Sequence, residues 1–305
     1  MIGLKNTKKP KLSSLLLSSS NEDYDFDTIV ESRYACTRFQ RQDGTKANTD
    51  KNTPPTASTS NSKVIAQAME CLNLSRRAPS GFNAQPYRLI LVHKKDVKEK
   101  VAKFCIKRNG DRVRDSDCTV IFLADKECLR EYKRFGRFLD GPSKSLSKWS
   151  KRKMQVFILL FSSGWPLPRI ISSPISFAVR LGVSAVSVIT RRKVLLPSLS
   201  SAETWASKNT MLVAMAYMLA CTSRGLATCP MEGFNAGGIR KVLGIPRRYA
   251  IPLIVSTGLP YKREVEEEGF DDVGMGHGPK TQDGSNRSSK RYPVEEVIFE
   301  NEFGI

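Results

Sequence analysis

Histidine is scarce in this sequence, which has only two histidines, His93 and His277, among its 305 residues. None of the seven cysteines belongs to a C-x-x-C pair. A structural zinc site therefore has little support, and Ser/His/Asp catalysis has few residues to draw on. The scattered cysteines are typical of a reducing compartment, and each reads more as a small buried hydrophobe than as a reactive thiol.

Motifs of several large enzyme classes are also missing. The sequence has no G-x-x-x-x-G-K-[ST] and hence no P-loop, and residues 225–238 contain no G-x-G-x-x-G. It has no G-x-S-x-G elbow either. These absences argue against the nucleotide-binding and hydrolase classes that depend on those motifs.

Long apolar runs are absent as well. The apolar stretches between residues 154 and 196 are broken by Gly164, Pro166, Pro168 and Pro174, so none is long enough to span a bilayer. We favour an insertion packed on its own domain. A lid, or a peripheral membrane contact through residues 154–196, is the alternative.

Acidic residues are outnumbered. The 49 lysines and arginines against 30 aspartates and glutamates give a formal net charge of +19. Such a charge suits an anionic ligand, nucleic acid or an acidic membrane, although a solvated basic surface is the commoner reason. Few aromatic residues interleave the basic stretch between 126 and 193, so we expect no nucleic-acid partner.

The sequence predicts a short N-terminal tail followed by one large domain. Residues 1–22 are rich in lysine and serine and predict a disordered or targeting tail. Residues 23–305 then form one domain, with an atypical basic and apolar lid insertion at about 126–200. The location is cytoplasmic, or organellar if the tail is a transit segment. Helices and strands alternate without a regular βαβ rhythm, which predicts an α+β fold with a mixed sheet.

Local patterns predict the regular elements. Helices are expected from Asp25 or Asp27, from Asn61 or Ser62, from Asp96, from Ala202 to Arg224, and from Asn235 to Gly244. Strands are expected at Arg88–Val92, Thr119–Ala124 and Ala250–Ser256. The second of these strands is apolar on both faces and therefore central, while Pro252 predicts a bulge or a sheet edge in the third.

The longest predicted helix carries a broad apolar surface. Its expected buried face, in the core of the domain or of a dimer, consists of Trp205, Leu212, Ala216 and Leu219, widened by Met211, Met215 and Met218. We interpret the methionines as core rather than as a cofactor-binding feature.

Residues 78–87, Ala-Pro-Ser-Gly-Phe-Asn-Ala-Gln-Pro-Tyr, form a connection longer than a simple link requires. Two prolines stiffen it and Gly81 allows a close approach of the backbone. Ser80, Asn83 and Gln85 can make directed hydrogen bonds. This composition predicts a preorganised binding loop.

The same loop resembles P-S-x-x-N-x-Q-P-[WY], the most recognisable loop of the FMN-dependent nitroreductase family. Pro-Met-Glu-Gly-Phe-Asn at 230–235 resembles the segment under that family's flavin ring. The resemblance extends, in order, over residues 25–39, 62–124, 203–260 and 287–304, more than half of the chain. On these motifs the chain is identified as a member of the family.

The resemblance implies a homodimer of α+β subunits with FMN in two interface sites. It implies ping-pong hydride transfer from NAD(P)H, through the flavin N5, to an electron-poor acceptor such as a nitroaromatic or a quinone. The cofactor performs the redox chemistry, so no catalytic side chain is assigned. The unusual insertion keeps open a specialised flavin enzyme on the same scaffold (a reductive dehalogenase or a flavin-destroying type). The net charge of +19 and the basic stretch at 126–193 keep open a basic, membrane- or nucleic-acid-associated flavin-binding protein without turnover.

Site residues follow from the resemblance by position. Arg33 and Arg291 match phosphate contacts, and Tyr34 and Ala35 match the ribityl-phosphate region. Ser80, Gly81 and Asn83 would reach the cofactor from the partner subunit. Asn109 and Arg112 match the pair beside the pyrimidine edge. Pro230, Met231, Glu232 and Gly233 would lie along the isoalloxazine, with the N–H of Glu232 or Gly233 facing N5. The first motif departs from the family because its serine and second cation are missing, and Arg38 lies one position late.

Overall fold

The structure is a computed structural model that describes residues 26–40, 57–128, 147–152, 201–260 and 291–301, together with positions 178, 181, 182, 185, 186, 188 and 189. The predicted tail at 1–22 and most of the predicted insertion at 126–200 lie outside the described residues. Within the described part of the chain, no helix is long and apolar enough to cross a membrane.

Helices and strands with described bounds form the body of the fold. The helices are α1 Phe26–Ser32, α2 Ala57–Ser75, α3 Lys95–Ala102, α4 Arg108–Asp115, α5 Ala202–Thr222 and α6 Ala236–Leu243. The strands are β1 Tyr87–Val92, β2 Cys118–Asp125, β3 Ala227–Met231 and β4 Tyr249–Gly258. Short 3₁₀ turns lie at Gly81–Asn83 and Val294–Glu296. The predicted elements are present, whereas α4 and β3 were not among the predicted helices and strands.

The four strands form one sheet in the order β1-β2-β4-β3, and each neighbouring pair is antiparallel. Parallel pairing is limited, among the described residues, to an isolated bridge between Ala35 and Thr228 at the edge of β3. The predicted α+β class is confirmed, with a sheet that is antiparallel across its four described strands.

Helices cover both faces of the sheet. Along β2, Val120 and Phe122 pack against residues of α2 and α5. Ile121 and Leu123 point the other way and pack with residues of α3, α4 and α6. Because successive strand residues face opposite sides, a strand covered on both faces is expected to be largely apolar, as β2 is from Val120 to Ala124. All eight residues of β2 are buried, and its predicted central position is confirmed.

Pro252 lies inside β4, where it accompanies a change of register. Phe122 pairs with Leu253, but Ala124 pairs with Ala250, so β4 has one residue more than β2 over this stretch. This is the geometry of a β-bulge, which tolerates a residue without an N–H. The predicted bulge is confirmed. The alternative of a sheet edge is wrong, because β4 lies between β2 and β3.

The long helix α5 buries a different face from the predicted one. Ala214 and Tyr217 are fully buried, and Tyr217 Oη is hydrogen-bonded to Thr257 Oγ1 at 2.8 Å. Leu212 is 49% exposed and Met215 is 41% exposed. The helix is apolar around most of its circumference, so residue spacing does not select the face that meets the sheet. Burial of Leu212 in the core of the domain is therefore wrong.

Candidate functional site

The loop that follows β3 is held against the segment that precedes α4. Ile106 N–H donates to the Gly233 carbonyl at 2.9 Å, and Asn235 N–H donates to the Phe104 carbonyl at 2.7 Å. The Asn235 side chain then caps α6 by accepting from Gly238 N–H at 3.0 Å. These backbone bonds bring two of the predicted motifs side by side.

Asn109 links those two motifs through its side chain. Its Nδ2 donates to the Gly233 carbonyl at 3.2 Å, and its Oδ1 accepts from Arg112 Nη1 at 2.8 Å. Asn109 and Arg112 are one helical turn apart on α4, a spacing that places both on the same side of the helix. The structure thus joins three of the predicted site residues in one hydrogen-bonded chain.

Arg112 keeps an unused donor. Its Nε is buried and has no hydrogen-bond partner among the described residues. A buried donor of a charged group without an acceptor is costly. Nη1 is bonded to Asn109, which holds the guanidinium beside the loop after β3. A cofactor that fits this site would have to offer a hydrogen-bond acceptor to Arg112 Nε.

Gly233 leaves no room for a side chain. A Cβ at this position would lie 2.7 Å from Asn109 Nδ2. That is closer than non-bonded atoms approach, so any larger residue would move Asn109. The glycine thus preserves the link between the loop after β3 and Arg112.

The first predicted motif runs along the free edge of β3. Cys36 N–H donates to the Thr228 carbonyl at 2.9 Å, and Ala35 forms the parallel bridge with Thr228. Tyr34 packs against the core on the α3 side of the sheet, and Arg33 is half-buried. The Arg33–Ala35 segment is therefore brought beside β3, as its predicted role requires.

Cys229 of β3 is a buried thiol. Burial raises the pKa of this thiol to about 11, and the positive charge of Arg112 acts in the opposite direction. Cys36 also raises the pKa.

The loop at 78–87 is internally braced and strained. Ser80 Oγ accepts from Gln85 N–H at 3.1 Å, and the Ser80 carbonyl accepts from Asn83 N–H at 2.8 Å. Phe82, Asn83 and Gln85 have φ values of 54°, 52° and 45°. Positive φ is uncommon for residues with a side chain and is a genuine outlier for a bulky one. Such strain clusters at functional sites.

The loop packs on α5 and forms a second group of predicted residues. Gly81 N–H donates to Asn209 Oδ1 at 2.7 Å. The strand that follows the loop, β1, is one edge of the sheet, while β3 is the other. Three interstrand spacings, about 14 Å in total, separate these edges. The sequence did not single out Asn209, because an asparagine within an apolar helical pattern carries no motif.

A cavity of about 820 Å³ adjoins this loop. Its wall includes Asn83 and Gln85 from the loop and three arginines, Arg76, Arg77 and Arg224. Glu70, whose carboxylate lies 4.0 Å from Arg224 Nε, also lines it. The cavity is therefore predominantly basic, a feature that the sequence pattern did not predict.

The remaining predicted residues are not gathered into one group. Pro230 and Met231 belong to β3, and Glu232 follows them with an exposed side chain. Arg291 is exposed at the start of the described C-terminal segment, and its assignment as a phosphate contact stays a prediction.

The fold defines a class of α+β proteins in which helices cover both faces of an antiparallel sheet. Residues 62–259 match the model of the nitroreductase family, and the chain belongs to that family. The resemblance read from the motifs is thereby confirmed.

Individual relatives are distant. The chain is 25% identical over 190 residues to MhqN of Bacillus subtilis strain 168, an NAD(P)H nitroreductase by name, and the match covers 62% of this chain and 75% of MhqN. It is 23% identical over 201 residues to a protein of Thermus thermophilus named NADH dehydrogenase, covering 66% and 77% of the two chains.

A solved structure shows the same fold. The nitroreductase family protein from Streptococcus pneumoniae TIGR4 superposes with a TM-score of 0.54 at 19% sequence identity. The superposition covers 90% of this chain and 99% of that chain.

Proposed function

We propose that this protein is an FMN-dependent NAD(P)H oxidoreductase that reduces an electron-poor acceptor such as a nitroaromatic or a quinone. The observation that carries the proposal is the chain of hydrogen bonds from Gly233 through Asn109 to Arg112, which ends on a buried guanidinium nitrogen that has no partner among the described residues.

The residues beside β3 fit FMN chemically. The pyrimidine edge of a flavin offers nitrogen and oxygen acceptors, and the free Nε of Arg112 is a charged donor that such an edge would satisfy. A fixed guanidinium also favours negative charge at that edge. Asn109 orients Arg112 at 2.8 Å, so the donor is preorganised. Bound FMN would supply the two-electron chemistry between a reduced nicotinamide and the acceptor.

The other FMN contacts are assigned from the chemistry of each side chain and from the family resemblance. Arg33 would bind the phosphate, because a guanidinium fork matches paired phosphate oxygens, and Arg291 would assist. Tyr34 and Ala35 would adjoin the ribityl chain. Pro230, Met231, Glu232 and Gly233 would line the ring system.

A reduced nicotinamide is the proposed electron donor. Both curated relatives have names that refer to NADH or NAD(P)H. The sequence has no motif for a dedicated dinucleotide fold, which is consistent with a donor that binds and leaves at the cofactor.

We further propose a homodimer in which Ser80, Gly81 and Asn83 of one subunit complete the site of the other. The two groups of predicted residues are associated with opposite edges of the sheet, which supports a site shared between chains. Apolar side chains stand exposed on α2 and α5, and a second copy of this chain would cover them. They are Met69, Leu74, Met211, Leu212 and Met215.

The first experiment is a visible spectrum of the purified protein before and after addition of FMN, followed by anaerobic titration with NADH and with NADPH. We expect bound flavin absorbance that is bleached by at least one donor and restored by a quinone. A protein that retains no flavin after FMN is added would contradict the proposal.

Arg112→Met tests whether the Arg112 guanidinium binds FMN. Arg114→Met is the matched control on the same helix. The Arg114 guanidinium is already engaged by two carboxylates, Glu99 at 2.9 Å and Asp111 at 3.0 Å. We expect FMN affinity to fall at least about tenfold in Arg112→Met, since bonds to charged groups contribute about 1.5–3 kcal/mol, and to be unchanged in Arg114→Met. Equal affinities in both variants would remove Arg112 from the site.

A further inference from the structure

Asn209 is a buried amide in the middle of an apolar helix. Its side chain is only 7% exposed, and both of its polar atoms are used. Oδ1 accepts from Gly81 N–H at 2.7 Å, and Nδ2 donates to the Trp205 carbonyl at 2.7 Å. The first bond joins residues 128 positions apart in the chain. One side chain thus connects α5 to the loop at 78–87.

Helix stability gives no reason for an asparagine here. Asparagine is a poorer helix former than leucine or methionine, and a buried amide has to recover its lost hydration through hydrogen bonds. Neighbouring buried positions of the same helix, Val213 and Ala214, are apolar. The bond to Gly81 is what distinguishes position 209 from them.

Gly81 is the residue at which this loop needs support. It opens the 3₁₀ turn, and the next two residues, Phe82 and Asn83, both have positive φ. Strained backbone of this kind persists only where the surrounding structure holds it. Trp205 closes the other side, because a Cβ at Gly81 would lie 3.2 Å from Trp205 Cζ2.

We propose that Asn209 is a positioning residue that fixes the loop at 78–87 in its cofactor-binding conformation by accepting from Gly81 N–H. The proposal rests on the proposed function only in assigning FMN as the ligand of the loop. Asn209 itself touches no reacting atom. Its role is to hold Ser80 and Asn83 where the second subunit's cofactor would meet them.

The test compares Asn209→Leu with Thr210→Val. Leucine removes the acceptor at similar size. Thr210 is fully buried on the same helix turn, and its Oγ1 donates to the Ala206 carbonyl at 2.8 Å, within the helix. Thr210→Val therefore removes a buried helical hydrogen bond without removing the bond to the loop.

Two readouts are measured for each variant: amide hydrogen exchange of residues 80–85 without cofactor, and the dissociation constant of FMN. In Asn209→Leu we expect exchange of the loop to speed up about tenfold and FMN to bind about tenfold more weakly, the loss of one hydrogen bond. Thr210→Val should match the wild type in both readouts, because the bond to Gly81 is kept.

Wild-type exchange and affinity in Asn209→Leu would overturn the proposal, as would equal losses in Thr210→Val. If the leucine variant does not fold, Asn209→Ala takes its place, since it adds no bulk. The exchange measurement needs no cofactor. A wild-type protein that binds no FMN would therefore contradict the proposed function, while the exchange comparison would still decide whether Asn209 holds the loop.

Discussion

Gly233 and Asn109 meet at the most crowded point of the candidate site. Gly233→Ala would place a Cβ 2.7 Å from Asn109 Nδ2 and displace that amide from its bonds to Gly233 and Arg112. We expect a loss of about 1–3 kcal/mol in the free energy of unfolding, as for other overpacked sites, and weaker FMN binding. Urea unfolding and a flavin titration measure the two effects.

The double variant Gly233→Ala with Asn109→Ala separates crowding from other causes. Removing the Asn109 amide should relieve the clash, so the stability losses of the single variants should not add. Additive losses would mean that Gly233 is required for a reason other than its contact with Asn109.

Cys118 gives a pH dependence of stability. Its side chain is fully buried, and burial raises the pKa of the thiol from 9.0 to about 12. As the pH rises, the Cys118 thiol therefore deprotonates at a lower pH in the unfolded chain than in the folded protein. The contribution to stability is complete below pH 9 and declines as the pH rises toward 12.

The Cys118→Ala variant should lack this pH-dependent contribution to the free energy of unfolding. Between about pH 8 and about pH 10 we expect the stability difference between wild type and Cys118→Ala to shrink by about 1.4 kcal/mol, because one pH unit above the unfolded pKa corresponds to that amount. Other ionisable groups are common to both proteins and cancel. A pH-independent difference in urea unfolding would show that the thiol ionises equally in both states.

At the scale of elements, α6 is tied to the candidate site through its first cap. Asn235 Oδ1 accepts from Gly238 N–H at 3.0 Å, while its own N–H donates to the Phe104 carbonyl at 2.7 Å. Asn235→Ala should cost about 1 kcal/mol through the lost cap, measured by urea unfolding. Asn235→Ser should recover most of it, since serine is an equivalent cap. No difference between the two variants would mean that the cap contributes little.

Element prediction succeeded where the local pattern was unambiguous. Asn235 and Gly244 bound α6 as expected, because capping is a local property. The strand β3 was not predicted, because it has only five residues and contains Pro230. The proline is tolerated since β3 is a sheet edge. The buried face of α5 was misassigned because the choice depends on the partner surface rather than on spacing.

At the scale of the whole molecule, the exposed apolar surface of α5 predicts association. Leu212→Glu places a charge in the middle of that surface, and burying an unpaired charge at an interface is strongly unfavourable. If the proposed homodimer with shared sites forms, we expect a shift from dimer to monomer in sedimentation velocity, accompanied by loss of FMN. Lys241→Glu, an exposed position on α6, which packs on the other face of the sheet, is the charge control.

A monomeric wild type that still binds FMN would contradict the shared site. A Leu212→Glu variant that becomes monomeric but keeps its flavin would support dimerisation of the wild type. It would also show that the whole FMN site lies within one chain. The two outcomes separate the assembly from the location of the cofactor.

The sequence by itself determined the order of elements, the α+β class and the family, because hydrophobic period, caps and motif residues are local features of the chain. Only the tertiary structure decided which of those residues meet. Asn109 reaches the Gly233 carbonyl across 124 positions, and Gly81 reaches Asn209 across 128. Such contacts depend on how the sheet orders its strands and which helix face packs on it, and neither is written in the spacing of any one segment.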